Sequence, residues 1–106
     1  MKAEELEKRI SRGDKIKLID VREADEYASG EKIEGSENIP MGKMFAQASH
    51  GDLARGAPMV VFCRTGGRCE VVARELRSKG YDIDHLEGGI EEWNRRHEDK
   101  GIDMNK

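Results

Sequence analysis

The chain has 106 residues, 39% of them charged and 36% hydrophobic, with 19 basic and 22 acidic side chains giving a net charge of −3. That length suits one domain over residues 1–106 with a single core, and the mixed charge leaves no broad positive face for nucleic acid. No segment approaches the roughly 20 apolar residues of a membrane span and the first residues hold no apolar signal region, so a soluble, cytoplasmic protein with no membrane partner is expected.

In chain order, Leu6 and Ile10 stand four apart among Glu, Lys and Arg, which predicts a short surface helix over Ala3 to Ser11, stopped near Gly13 and lying as a lid on a sheet. Lys17 to Val21 reads as a strand and Glu23 to Ser29 as a short helix ending at Gly30. Between Ile33 and Pro40 a turn at Gly35 leads into a minimal extended piece closed by the proline. Met44, Phe45 and Ala48 share one face of a helix over Gly42 to His50. Met59 to Phe62 is a continuous apolar run, the pattern of a central strand buried on both faces.

From Arg68 to Lys79, Cys69, Val72, Ala73 and Leu76 fall at i, i+3, i+4 and i+7, and Gly80 ends the helix. Tyr81 to Leu86 is a weaker strand, since Asp82 and Asp84 interrupt it and place it toward an edge. Gly88 and Gly89 turn the chain into a last helix from Ile90 to about His97, with Glu98 to Lys106 expected as a frayed tail. Strands and helices alternate without repeat or linker. The expected fold is therefore α/β and three-layered, with a mostly parallel central sheet of four to five short strands and helices on both faces. Sites in such sheets gather at the carboxyl ends of the strands, and Cys63 occupies one.

The segment Cys63-Arg64-Thr65-Gly66-Gly67-Arg68 places a thiol between a strand and a helix start. A thiol attacks as the thiolate, which is favoured where backbone N–H groups, a helix N-terminus and cations converge. Gly66 and Gly67 permit the crowded conformations that a loop needs if successive amides are to point at one anion. Arg64 and Arg68 add planar donor forks suited to an oxyanion, and Arg68, closing the loop at the helix start, is the favoured one. Cys69 lies on the apolar stripe and reads as core, with a resolving thiol as the lesser alternative. Two cysteines at this spacing match neither a C-x-x-C redox pair nor a zinc knuckle, which fits a reducing compartment. His50 and His97 read as solvated and His85 as packing, without metal-ligand company; Trp93 reads as a core anchor, and Met41, Met44 and Met59 as gap-fillers.

Several motifs then agree in order. Leu18-Ile19-Asp20-Val21-Arg22-Glu23, Glu26-Tyr27 and Ile33 to Pro40 precede the cysteine loop, and Leu86-Glu87-Gly88-Gly89-Ile90 with Trp93 follows it. Together they resemble the rhodanese-like sulfurtransferase domain over nearly the whole chain, with Lys32 standing where that family commonly has histidine. The resemblance implies a two-step transfer in which Cys63 takes the outer sulfur of a small anionic donor such as thiosulfate and passes the persulfide sulfur to cyanide, a thiol or a protein. It implies no metal and no cofactor, and a place near the site for Asp20 and Arg22, as a brace for the loop or as a structural salt bridge. Residues 64–68 would hold the thiolate, the persulfide and the departing sulfite-like end.

Two rivals stand beside this reading. A cysteine phosphatase or arsenate reductase also cradles an oxyanion, but its loop runs cysteine, five residues, arginine, whereas four residues separate Cys63 from Arg68. It also needs an aspartic general acid, and Asp52, Asp82 and Asp84 read as loop or surface charges. A non-enzymatic binding module is the other rival, against which the retained cysteine argues, whereas a sulfur carrier feeding one protein partner with little turnover would show the same sequence. With no large apolar patch evident in the pattern, a monomer is expected.

Overall fold

A computed structural model of the chain describes residues 1–53 and 55–99. The elements run α1 (Ala3–Ser11), β1 (Lys17–Asp20), α2 (Ala24–Ser29), β2 (Glu37–Asn38), α3 (Met41–Ser49), β3 (Met59–Phe62), α4 (Gly67–Ser78), β4 (Ile83–His85) and α5 (Gly89–Asp99). The four strands form one sheet in the order β2-β1-β3-β4, and every adjacent pair is parallel. The expected α/β, three-layer class is thus the fold observed, with the weak strand β4 at one edge and β2 at the other.

Side chains alternate across the sheet because a strand repeats every two residues. From β3, Met59 and Val61 face one core with Ile19 of β1, Met44 of α3, and Cys69, Val72, Ala73 and Leu76 of α4. Val60 and Phe62 face the opposite core with Leu18, Leu6 of α1, and Leu86, Ile90 and Trp93 of α5. All of β3 is at most 2% exposed, which is why its sequence is unbroken apolar rather than alternating. Complete burial of a side chain such as Phe62 is worth about 1.5–3 kcal/mol relative to exposure, so this strand anchors both layers.

Helix starts sit one residue earlier than the sequence reading, at Met41, Gly67 and Gly89. First-turn residues need no amide partner within the helix, so a residue of low propensity is tolerated there. β4 is shorter than expected because Tyr81 and Leu86 join the cores from the flanking turns. Glu98 and Asp99, expected as fraying tail, continue α5, while the rest of that tail lies outside the described residues. His97, expected in solvent, is instead 13% exposed; its ring lies 4.4 Å from that of Trp93, and Nε2 is 3.6 Å from a Glu7 carboxylate oxygen on α1. The sequence places it near the chain end, but α5 packs against α1 at that point.

The strand order places the topological switch between β1 and β3, since the chain leaves β1 toward β2 and leaves β3 toward β4. Crevices open at the carboxyl ends of such strands. Asp20, the last residue of β1, pairs in register with Phe62, the last of β3. Cys63 follows immediately.

Candidate active site

Past β3 the chain turns through Cys63, Arg64, Thr65 and Gly66 and enters α4 at Gly67. Gly66 adopts a φ of +122°, open to glycine and strained for other residues, and this aims its amide back at the cysteine. The Gly66 N–H donates to Cys63 Sγ at 3.2 Å and the Cys69 N–H donates to the same sulfur at 3.5 Å. Cys69 is the third residue of α4, so its amide has no carbonyl partner within the helix and carries the positive end of the helix dipole. The sulfur takes the place of the missing acceptor.

The loop is anchored from beneath by α5. Ile90 N–H donates to the Cys63 carbonyl at 2.9 Å and Glu91 N–H to the Arg64 carbonyl at 3.1 Å. Gly89 makes that approach possible: a Cβ there would stand 2.4 Å from the Cys63 carbonyl oxygen and 2.5 Å from that of Arg64. The C-terminal glycines are therefore parts of the site's floor, although no chemistry belongs to them.

The Cys63 thiol is lowered to about 5. The neighbouring Cys69 thiol is the leading cause, followed by the backbone N–H groups of Cys69, Gly66 and Arg68; together they outweigh burial, which acts in the opposite sense. The Cys69 thiol is correspondingly raised, because the Cys63 sulfur beside it disfavours a second negative charge and it is itself buried. Cys69 thus lies on the core stripe as expected, yet it also touches the reactive sulfur, which the stripe alone did not reveal. A side chain in the first turn of a helix folds back over the cap, and that geometry was the available signal.

The arginines divide. Arg68 is held by Glu26 in a two-pronged pair, with Nη1 2.7 Å from Oε1 and Nη2 3.1 Å from Oε2, and this pair lowers the Glu26 carboxyl to about 2. Arg64 and Thr65 are exposed, and Arg64 has no ion-pair partner among the described residues. Gly67 is exposed at the start of α4. The cation favoured from sequence to hold an anion is thus engaged by a carboxylate, while its neighbour stands unpaired at the rim.

Asp20 and Arg22 form a buried pair at the end of β1, with side chains 0% and 3% exposed. Arg22 Nε lies 3.1 and 3.0 Å from the two Asp20 oxygens, its Nη2 2.8 Å from Oδ2, and its backbone N–H donates to Oδ1 at 2.9 Å. The guanidinium also donates to the Glu31 carbonyl at 2.8 Å, and the Asn38 amide donates to the carbonyls of Asp20 and Arg22. Glu26 feels both Arg22 and Arg68, and Arg68 feels Cys63. Charges therefore alternate from the β1 end to the thiolate: Asp20, Arg22, Glu26, Arg68, Cys63. Glu26 and Asn38 were not singled out for these roles by sequence reasoning.

A family model for the rhodanese-like domain matches residues 2–96. The chain belongs to the rhodanese-like domain family. Its domain is 37% identical over 78 residues to a tRNA sulfurtransferase of Desulfurococcus amylolyticus, covering 74% of this chain but only 14% of the length of that relative. Among solved structures, the rhodanese-related protein of Thermoplasma volcanium superposes with a TM-score of 0.76 at 28% identity, covering 97% of this chain and 93% of that one. A human single-domain sulfurtransferase, TSTD1, gives a TM-score of 0.76 at 27% identity, with 90% and 94% covered.

In this rhodanese-like domain, alkylation of Cys63 by iodoacetamide is expected to rise through an inflection near pH 5, against roughly 8.5 for an ordinary cysteine. An inflection near the ordinary value would mean that the loop does not stabilise the anion. The same shift makes stability depend on pH. Between about 5 and 9 the folded chain binds fewer protons at Cys63 than the unfolded chain does. The contribution is complete above about 9, declines as pH falls, and is gone below about 5.

Proposed function

We propose that this chain is a sulfurtransferase that loads a sulfane sulfur on Cys63 from a small anionic donor of the thiosulfate class and delivers it to a thiophilic acceptor. The observation that carries this is the Cys63 sulfur, 2% exposed as a residue, lowered to about 5 and faced by the amides of Gly66 and Cys69. The thiolate attacks the outer sulfur of the donor, a new S–S bond forms, the donor's S–S bond breaks, and sulfite departs with the electron pair. An acceptor such as cyanide, a thiol or a protein nucleophile then attacks the outer sulfur and frees the Cys63 thiolate. Neither step asks for a metal or a cofactor, and a monomer in a reducing compartment such as the cytoplasm suits two unbridged cysteines.

The phosphatase reading is less favoured. Four residues between cysteine and arginine make a tight cradle, Arg68 is occupied by Glu26, and the nearby aspartate, Asp20, is bound to Arg22 rather than poised as an acid. A carrier with little turnover would share the loaded intermediate and differ only in how selectively it gives up its sulfur. The direct test is intact mass after incubation with thiosulfate: one added sulfur on Cys63, removed by cyanide, is the expected result, and no adduct with any simple sulfane donor would overturn the reading.

Arg64 is the cation left to meet the donor's sulfonate end. Arg64→Ala is expected to raise KM for thiosulfate about tenfold, the loss of one charge-assisted hydrogen bond, with kcat changed by less than about twofold. Steady-state rates at varied thiosulfate check this, and an unchanged KM would move the anion-holding role elsewhere on the loop.

A further inference from the structure

Both cysteines are free and buried, and the transfer just proposed uses one of them. Cys69 is wholly buried, its thiol donates to the Gly66 carbonyl at 3.2 Å, and it stands near enough to the Cys63 sulfur to lower that thiol. Its backbone nitrogen is 3.5 Å from Cys63 Sγ. Adding one N–Cα bond puts Cys69 Cα no more than about 5 Å from that sulfur, so the two cysteines are immediate neighbours across the loop.

We infer that Cys69 is an internal acceptor: when no outside nucleophile takes the sulfur, it attacks the inner sulfur of the Cys63 persulfide, expels hydrosulfide and closes a Cys63–Cys69 disulfide. This rests on the transfer reading above. The step balances on its own atoms. The new bond joins the Cys63 and Cys69 sulfurs, the bond between Cys63 and its outer sulfur breaks, and the outer sulfur leaves with the electron pair and takes the Cys69 proton. The two cysteine sulfurs are oxidised to the disulfide level while the sulfane sulfur is reduced to sulfide, so no external oxidant enters. A small-molecule thiol or a dithiol then reopens the disulfide.

Burial separates the two sulfurs of the persulfide by access. The outer one extends toward the loop mouth, where acceptors arrive. The inner one is Cys63 Sγ itself, enclosed by the loop and faced by the Cys69 thiol. In the unloaded state a negative Cys63 keeps the Cys69 proton in place, since a second charge beside the first is disfavoured. Loading moves the charge one atom outward and releases that hold. The thiol that stabilises the empty nucleophile therefore becomes the competitor of slow acceptors, and the site empties into hydrosulfide and a reversible locked form.

The test uses the whole chain under anaerobic conditions, so that oxygen cannot make the bond. Protein is loaded with thiosulfate, freed of excess donor, and followed by intact mass and by a hydrosulfide assay. The wild type is expected to pass from one sulfur heavier to two hydrogens lighter than the reduced protein, releasing one equivalent of hydrosulfide, with Cys63 and Cys69 found in disulfide-linked peptides. Cys69→Ser and Cys69→Ala, each checked for native circular dichroism, are expected to keep the persulfide at least about tenfold longer. Loading followed by equal lifetimes in wild type and both variants, or hydrosulfide release without the disulfide, overturns this inference alone. Failure of Cys63 to load from thiosulfate or polysulfide overturns the transfer reading as well.

Discussion

Cys63→Ser is expected to lower sulfur transfer from thiosulfate to cyanide by at least about 10³-fold, to the uncatalysed background, and to leave no protein-bound sulfur. A serine hydroxyl fills nearly the same space and accepts from the same amides of Gly66 and Cys69, so the loop keeps its shape. What is lost is the anion, because a hydroxyl does not ionise where this thiol, lowered to about 5, already has. Parallel assays of turnover and intact mass check both halves. Residual transfer above a few per cent of wild type would place the nucleophile elsewhere. The variant should also lose the part of stability that rises between pH 5 and 9, which urea midpoints at the two ends of that window measure.

Asp20→Ala should cost about 3–5 kcal/mol of folding stability, because it leaves the Arg22 guanidinium buried without its counter-charge. For a chain of this size the melting temperature would fall by well over ~10 °C, a large share of a stability of order 5–15 kcal/mol. The damage should spread toward the loop, since Arg22 carries the alternating charges on to Glu26 and Arg68. A double change of Asp20→Ala with Arg22→Met is expected to regain part of the loss by removing the stranded cation, as apolar replacements of buried pairs often do. Thermal denaturation of the single and double variants decides it; a single variant within about 1 kcal/mol of wild type would mean that water reaches the pair.

β3 was legible residue for residue, because a strand buried on both faces must be apolar throughout and Met59 to Phe62 is. The stripe of α4 was equally plain, since Cys69, Val72, Ala73 and Leu76 obey the helical repeat and all are buried. At the site, the strand end, the glycines and the thiol could be read directly from local order. Glu26 could not be paired with Arg68 in this way: the two stand 42 positions apart, and only the return of α2 to the mouth of the sheet brings them together. The second task of Cys69 was hidden for a different reason. Burial in a stripe says that a side chain faces inward, and here inward includes the neighbourhood of the Cys63 sulfur.

The sulfur's cradle is made of main-chain amides, with one glycine bend at Gly66 to aim them. Arg64 and Thr65 take no part in that grip and turn their side chains to solvent, where Thr65 borders an open cleft of about 380 Å³ with Glu91, Glu92 and Arg95. Reactivity and address are therefore written in different parts of the same few residues. The amides and the Cys69 side chain that hold the Cys63 anion leave the side chains at positions 64 and 65 out of that task, so a change at those two positions alters what the loop meets before it alters how the sulfur ionises.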